Sequence, residues 1–244
     1  MVGKFMTKNF DNPAVRLLHF LEQGQKLDGN KLAQENLNIL LNTEGNLSLL
    51  LSRLGEVMKL PEKIVETFTD LYPHHPDIWS HWHTQVTEAF LGLNIKDRWV
   101  FFSGQIDIHT YTYLRTTITL LDQRITTTSV DETKLTEIRD ALHEIYEEVL
   151  NSEIDNDLRI FVLRKLREII ICCDEYHLTG LLPILDAVDS SIGHAATNAT
   201  YADFLKKNTI GQKLRDALVD VANVITTASG VVSIASETMK LLSS

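Results

Sequence analysis

Four histidines, His74, His75, His81 and His83, fall within ten residues beside Trp79 and Trp82. Neutral imidazoles are common zinc ligands, and a tetrahedral site needs three or four donor atoms converging on one point. His74, His75 and His81 are the candidate ligands. A helix over 77–91 would turn by about 100° per residue, so His81 and His83 would project about 200° apart and could not serve one ion. His81 would instead share a face with Gln85 and Glu88. The spacing fits loop and helix-surface histidines packed by tryptophans better than it fits a metal centre.

Asp140 and His143, and again Asp174 and His177, place a carboxylate three residues before an imidazole, as in carboxylate-bridged di-iron bundles. Those bundles aim glutamates into the core. Here Asp140 and His143 lie off the apolar stripe of Ile138, Leu142, Ile145 and Val149, which argues against a metal centre. No Gly-x-Ser-x-Gly elbow, P-loop or dinucleotide fingerprint is present, so no familiar enzyme class is indicated and no cofactor is implied. The adjacent Cys172 and Cys173 sit in an apolar run and cannot staple a loop between them; they read as buried thiols.

Charge offers a different chemistry. The chain carries a formal net charge of −10, the wrong sign for a general binder of phosphate backbones, so no nucleic-acid partner is expected. Residues 131–175 hold thirteen acids against six bases, a net of −7. Glu144, Glu147, Glu148, Glu153, Asp155 and Asp157 form a run without any base, and Arg159, Arg164, Lys165 and Arg167 follow. One reading is a solvated face of two adjacent helices, partly cross-neutralised by those four bases. The functional reading is an acidic docking surface for a basic partner protein, where complementary charge raises the association rate and excludes wrong partners.

Helices must position these groups. Residues 105–179 contain no Gly and no Pro, which β-rich folds need at short intervals for their turns. Leu135, Ile138, Leu142, Ile145 and Val149 repeat at three and four, and a second such run spans 154–173 and closes at Gly180. Pro183 suits the first turn of a helix ending near Gly193. Towards the N-terminus, Pro13 opens a helix, 31–41 and 47–60 supply two more, and Pro61 starts a fourth that runs to Leu71. The stretch Tyr72-Pro-His-His-Pro76 is a turn, with Asp77 as N-cap of a helix to about Leu91. Residues 98–103 and 105–114 are rich in β-branched and aromatic side chains, so a small hairpin near 98–112 competes with a helix starting near Thr110. Small polar residues break the periodicity near 93–105 and 193–210, dividing an N-terminal helical subdomain, 1–93, from a C-terminal bundle, 94–244, within what is otherwise one continuous domain. The fold class is all-α, a multi-helix bundle.

The longest pattern closes the chain. Leu214, Leu218, Val221, Ile225, Ala228, Val232, Ala235, Met239 and Leu242 alternate at four and three, a coiled-coil or bundle seam. This long C-terminal heptad-patterned helix is first a central helix of the protein's own bundle. It is alternatively a homo-oligomer seam carried by Leu214, Leu218, Val221, Ile225, Val232 and Met239. A third reading has 217–235 entering a membrane conditionally, against the penalty of Asp220 and Asn223. Lys4 and Lys8 precede no apolar signal region, which makes the cytoplasm the default location. The acceptor patterns Asn46-Leu-Ser48 and Asn198-Ala-Thr200 then carry no meaning for glycosylation.

The opening Asn12-Pro-Ala-Val-Arg-Leu-Leu18, the later Trp79 and Phe90, and 154–180 ending in Tyr176-His-Leu-Thr-Gly180 are similar to uncharacterised all-helical bacterial proteins, some from phage-defence or mobile-element operons. The resemblance implies a bacterial, helical, non-housekeeping setting and transfers no catalytic or binding residue. Together these observations lead to a non-enzymatic helical interaction protein, such as a regulator, sensor or immunity factor, acting through an acidic surface and self-association. The alternatives are a membrane-disrupting effector using 214–242 and a metal-dependent enzyme using 74–83.

Overall fold

Asn12 and Pro13 start the first helix together. The Asn12 side chain accepts the Ala14 N–H at 3.0 Å, and Pro13 sits in the first turn, where its missing N–H leaves nothing unsatisfied, opening α1 (Pro13–Gln25). The computed structural model describes residues 9–73, 78–124, 130 and 132–229. The chain divides into two compact units between Thr126 and Thr127. In the first, α1 is followed by α2 (Ala33–Leu40), α3 (Leu47–Met58), α4 (Leu60–Leu71), α5 (Ser80–Leu91), α6 (Val100–Ser103) and α7 (Ile108–Asp122). Asn46 caps α3 by accepting the Leu49 N–H, and Pro61 lies in the first turn of α4. The first acceptor pattern for glycosylation is therefore a helix start. Helix α1 packs on α4 and α7, and α5 packs on α7, around the buried Leu17, Phe68, Trp82, Val86 and Leu114.

Residues 94–107 belong to this unit, so the boundary at 93/94 is not where the units part. Trp99 is the reason. Its indole is 1% exposed, donates its Nε1–H to the Gly24 carbonyl at 2.8 Å, and packs on Phe102 at 4.8 Å between ring centres. Main-chain bonds reinforce it: Trp99 N–H to Lys31 O, Val100 N–H to Gly29 O, Ala33 N–H to Asp97 O and Gln34 N–H to Ile95 O. The first and third of those bonds make one isolated antiparallel bridge, Leu32 to Arg98.

The hairpin expected near 98–112 is absent: these residues form α6 and the start of α7. Asp107 decides the outcome by accepting the Thr110 N–H at 2.7 Å, which nucleates a helix where the side-chain composition favours a strand. Thr112, Thr116, Thr117 and Thr119 then donate their hydroxyls to the carbonyls four residues back, so the β-branched residues are satisfied within the helix. Thr110, Tyr111, Leu114, Thr117 and Leu121 are buried at helical spacing, while Ile108, inward in a strand reading, is exposed.

The second unit contains α8 (Glu132–Leu150), α9 (Asn156–Asp174), α10 (Tyr176–Thr179), α11 (Leu182–Thr197), α12 (Ala199–Lys207) and α13 (Thr209–Ser229). Helices α8 and α9 form a hairpin through a turn at 151–155, with Leu135, Leu142, Ile145 and Val149 facing Val162, Leu166, Ile169 and Ile170 in the core. Helix α11 packs on α9, and α13 packs on α8, α11 and α12. Gly180, at φ 81°, ends α10 by donating its N–H to Tyr176 O, a conformation that suits glycine. Helix α11 does not stop at Gly193 but continues to Thr197, where Asn198 caps α12 by accepting the Tyr201 N–H. Among the described residues the fold is all-α, with no strand.

Candidate functional site

On α8 the buried stripe leaves the opposite side to water, and that side is acidic. Glu137, Asp140, Glu144 and Glu147 follow one another at three, four and three, an exposed row over three turns. Glu153 continues it into the turn, and Asp157 sits in the first turn of α9, where the helix dipole favours a carboxylate. The sequence run did not single out Glu137 and Asp140, although their spacing to Glu144 was the available signal.

Two of the six acids in that run are engaged. Glu148 is half-buried and pairs with Lys213 of α13 at 2.6 Å, tying α8 to α13. Asp155 caps α9, its Oδ1 accepting the N–H groups of Asp157 and Leu158 at 3.0 and 3.1 Å. Glu144, Glu147, Glu153 and Asp157 are exposed and have no ion-pair partner among the described residues.

The four bases of α9 do not answer them. Arg159 donates to Asn156 Oδ1 and Ser152 O, Arg164 lies over the Phe161 ring, and Arg167 lies over the Tyr146 ring while donating to its hydroxyl at 2.8 Å. Lys165 is buried and bonded to Glu168 and Ser190. On α8, Arg139 takes up Asp140 and reaches Asp174.

Next to the acidic corner lies an open groove of about 390 Å³ between the start of α9 and α12. Ile154, Leu158 and Phe204 give it an apolar floor, and Asp155, Asp203, Lys207, Thr200 and Asn208 complete the lining. Further along α9, Phe161 closes against Tyr201 edge-on at 5.0 Å. Tyr201 is fully buried and bonded to Ser191, and burial pushes its phenol up to about 12.

The heptad positions Leu214, Leu218, Val221 and Ile225 are buried within their own unit, on the helix that packs against α8, α11 and α12. Val232 and Met239 lie outside the described residues. No helix of the described residues is long and apolar enough to cross a membrane.

The histidine cluster separates. His74, His75 and the expected cap Asp77 lie outside the described residues. His81 Nε2 meets Asp107 at 3.1 Å, and His83 Nε2 meets Glu62 at 2.8 Å between the Trp79 and Trp82 rings, so the two imidazoles serve different carboxylates as their opposed directions require. Among the described residues no group of three His, Cys, Asp or Glu side chains is placed to hold a metal ion. Asp140 and His143 are both exposed, off the core as their spacing predicts. Cys173 is buried and Cys172 half-buried, and burial raises both thiols, Cys173 to about 12, which favours the protonated form at neutral pH.

Asp107 carries a measurable consequence. The Thr110 N–H holds its carboxyl below the ordinary carboxylate range, with a further contribution from His81. A depressed folded-state pKa gives stability that is complete above the unfolded value and is lost as pH falls through the folded one. Asp107→Ala is expected to lower stability by about 0.5–2 kcal/mol near pH 7. The difference from wild type should shrink as pH falls below about 4. Urea unfolding at several pH values checks this; a difference independent of pH would overturn it.

No family model matches the chain, and neither does any curated protein or solved structure.

Proposed function

We propose that this chain is a non-enzymatic interaction protein that captures a basic protein partner on the acidic face of the α8–α9 hairpin. One observation carries the reading. Glu144 and Glu147 at the end of α8, Glu153 in the turn and Asp157 in the first turn of α9 are exposed without an ion-pair partner among the described residues, although four basic side chains on α9 follow directly in sequence. Like charges so arranged repel one another modestly in water, and an incoming cationic surface relieves that repulsion. A single exposed ion pair contributes only about 0–1 kcal/mol, so the gain comes from several pairs and from faster encounter. The same field disfavours nucleic acid.

The test is a charge reversal that avoids structural acids. Glu144→Lys, Glu147→Lys and Glu153→Lys together spare the Glu148–Lys213 pair and the Asp155 cap. The triple variant should keep the wild-type circular dichroism and unfolding midpoint. It should also lose the basic proteins that wild type retains from a bacterial lysate at low salt and releases at high salt. Undiminished capture by the variant rejects this surface. The resemblance to defence-operon proteins would make such a protein a regulator, sensor or immunity factor, a role read from the genes beside its own.

A further inference from the structure

The groove beside the acidic corner has a composition that the rest of that face lacks. Its floor is apolar, with Phe204 buried and Ile154 and Leu158 half-buried, and a carboxylate stands on each side: Asp155 at the start of α9 and Asp203 on α12. Asp155 spends only Oδ1 on its cap, and no hydrogen bond to Oδ2 is made by the described residues. Asp203 Oδ2 pairs with Lys207 at 2.9 Å, an exposed pair one turn apart that holds too weakly to exclude a competing cation. The nearest base on α9, Arg159, is held by Asn156 and Ser152. Glu153 and Asp157, both without an ion pair, flank Asp155.

We propose that this groove seats a short basic peptide segment of the partner, with one apolar side chain on Ile154, Leu158 and Phe204 and a lysine or arginine on either side meeting Asp155 and Asp203. This rests on the acidic-face reading and names what that face recognises. Charge complementarity selects the occupant: two carboxylates, Asp155 and Asp203, face the one ammonium of Lys207 in the lining, and the acidic run 144–157 adjoins it in sequence. An open trough with a small apolar floor suits a side chain anchored by its flanking backbone, whereas small-molecule sites enclose most of their ligand. The apolar anchor supplies the discrimination that charge alone lacks, because any polycation is attracted to an acidic surface while only a segment with an apolar residue between its cations fills the floor.

The probe is a fluorescent peptide with one leucine between two runs of three lysines or arginines, titrated into the full chain and followed by polarisation. A matched peptide with glycine in place of leucine is the control. The leucine peptide should bind at least tenfold more tightly than the glycine peptide. Thr200→Trp, which fills the trough from an exposed lining position, should remove that advantage. Asp203→Arg, judged for folding by circular dichroism, should weaken the leucine peptide at least fivefold and provides the readout if the tryptophan variant does not fold. Equal binding of the two peptides, or a leucine advantage that survives both substitutions, overturns the groove. If the lysate capture still responds to Glu144→Lys and Glu147→Lys in that case, the acidic-face reading stands and only the groove falls. If it does not respond, the broader reading fails too. A concentration-dependent dimer in sedimentation that Thr200→Trp abolishes would assign the trough to a second copy and overturn the peptide.

Discussion

Gly211→Ala is expected to destabilise the second unit by about 3 kcal/mol or more, the upper end of overpacking losses. Gly211 is buried in the first turn of α13, where the chain has just turned back from α12. A Cβ there would overlap the Phe204 carbonyl oxygen and lie 2.6 Å from its carbon and 3.1 Å from Leu205 Cα. Every obstacle is main chain, so no rotamer change relieves it and α13 must shift as a body. A shift disturbs the Asn208 cap, whose side chain accepts from Ile210 and Gly211, and then the buried Leu214, Leu218, Val221 and Ile225. The helix propensity gained, about 1 kcal/mol, is too small to compensate.

Gly193→Ala in α11 is the matched control. That glycine is exposed in a helix interior with nothing within 4 Å of a built Cβ, and the same substitution should stabilise by about 0.5–1 kcal/mol. Denaturant unfolding of both variants decides the matter, and shifts of the same sign would show that α12 and α13 do not approach as described.

The contrast between these glycines shows what the sequence could convey. Helix existence was legible wherever apolar residues repeated over several turns, as in α8 and α9, and wherever proline opened a helix, as at Pro13, Pro61 and Pro183. Gly193 looked like a stop signal and is not one, because a helix covered on one side by α9 tolerates a glycine on its outer face. Residues 98–112 misled in the opposite direction: aromatic and β-branched side chains spoke for strands, while a single capping carboxylate at Asp107 and the hydroxyl back-bonds of four threonines settled the segment as helix.

The acidic run was visible as composition, but its division into engaged and unengaged members was not. Whether Glu148 meets Lys213, or Arg167 turns to Tyr146, depends on how separate helices pack. The groove was invisible for the same reason, since 154–158 and 200–208 become neighbours only after α9, α11 and α12 have packed.

In the first unit, Trp99→Ala should cost about 3–5 kcal/mol, the range for emptying a large aromatic site. The loss is mainly packing. Gly24 O, which accepts the indole N–H, also accepts the Leu27 N–H at 3.3 Å and so is not orphaned when the indole goes. More informative is the coupling between Trp99 and Gly24. A Cβ at position 24 would stand 2.9 Å from Trp99 Cζ2, an atom of a rigid buried ring, so Gly24→Ala alone should destabilise despite the better helix former in α1. Trp99→Phe alone should lose about 2 kcal/mol by shrinking the ring and opening space at that spot. In the double variant the new methyl occupies the space that Cζ2 vacates, and the helix-propensity gain is no longer masked. The double variant should therefore be more stable than the sum of the single losses predicts, by about 1–2 kcal/mol, within the range found for residues in contact. Equilibrium unfolding of the four proteins gives the coupling directly. Losses that add to within about 0.5 kcal/mol would mean that the ring and the glycine do not touch, and the segment around Trp99 would then need another explanation for its place in the first unit.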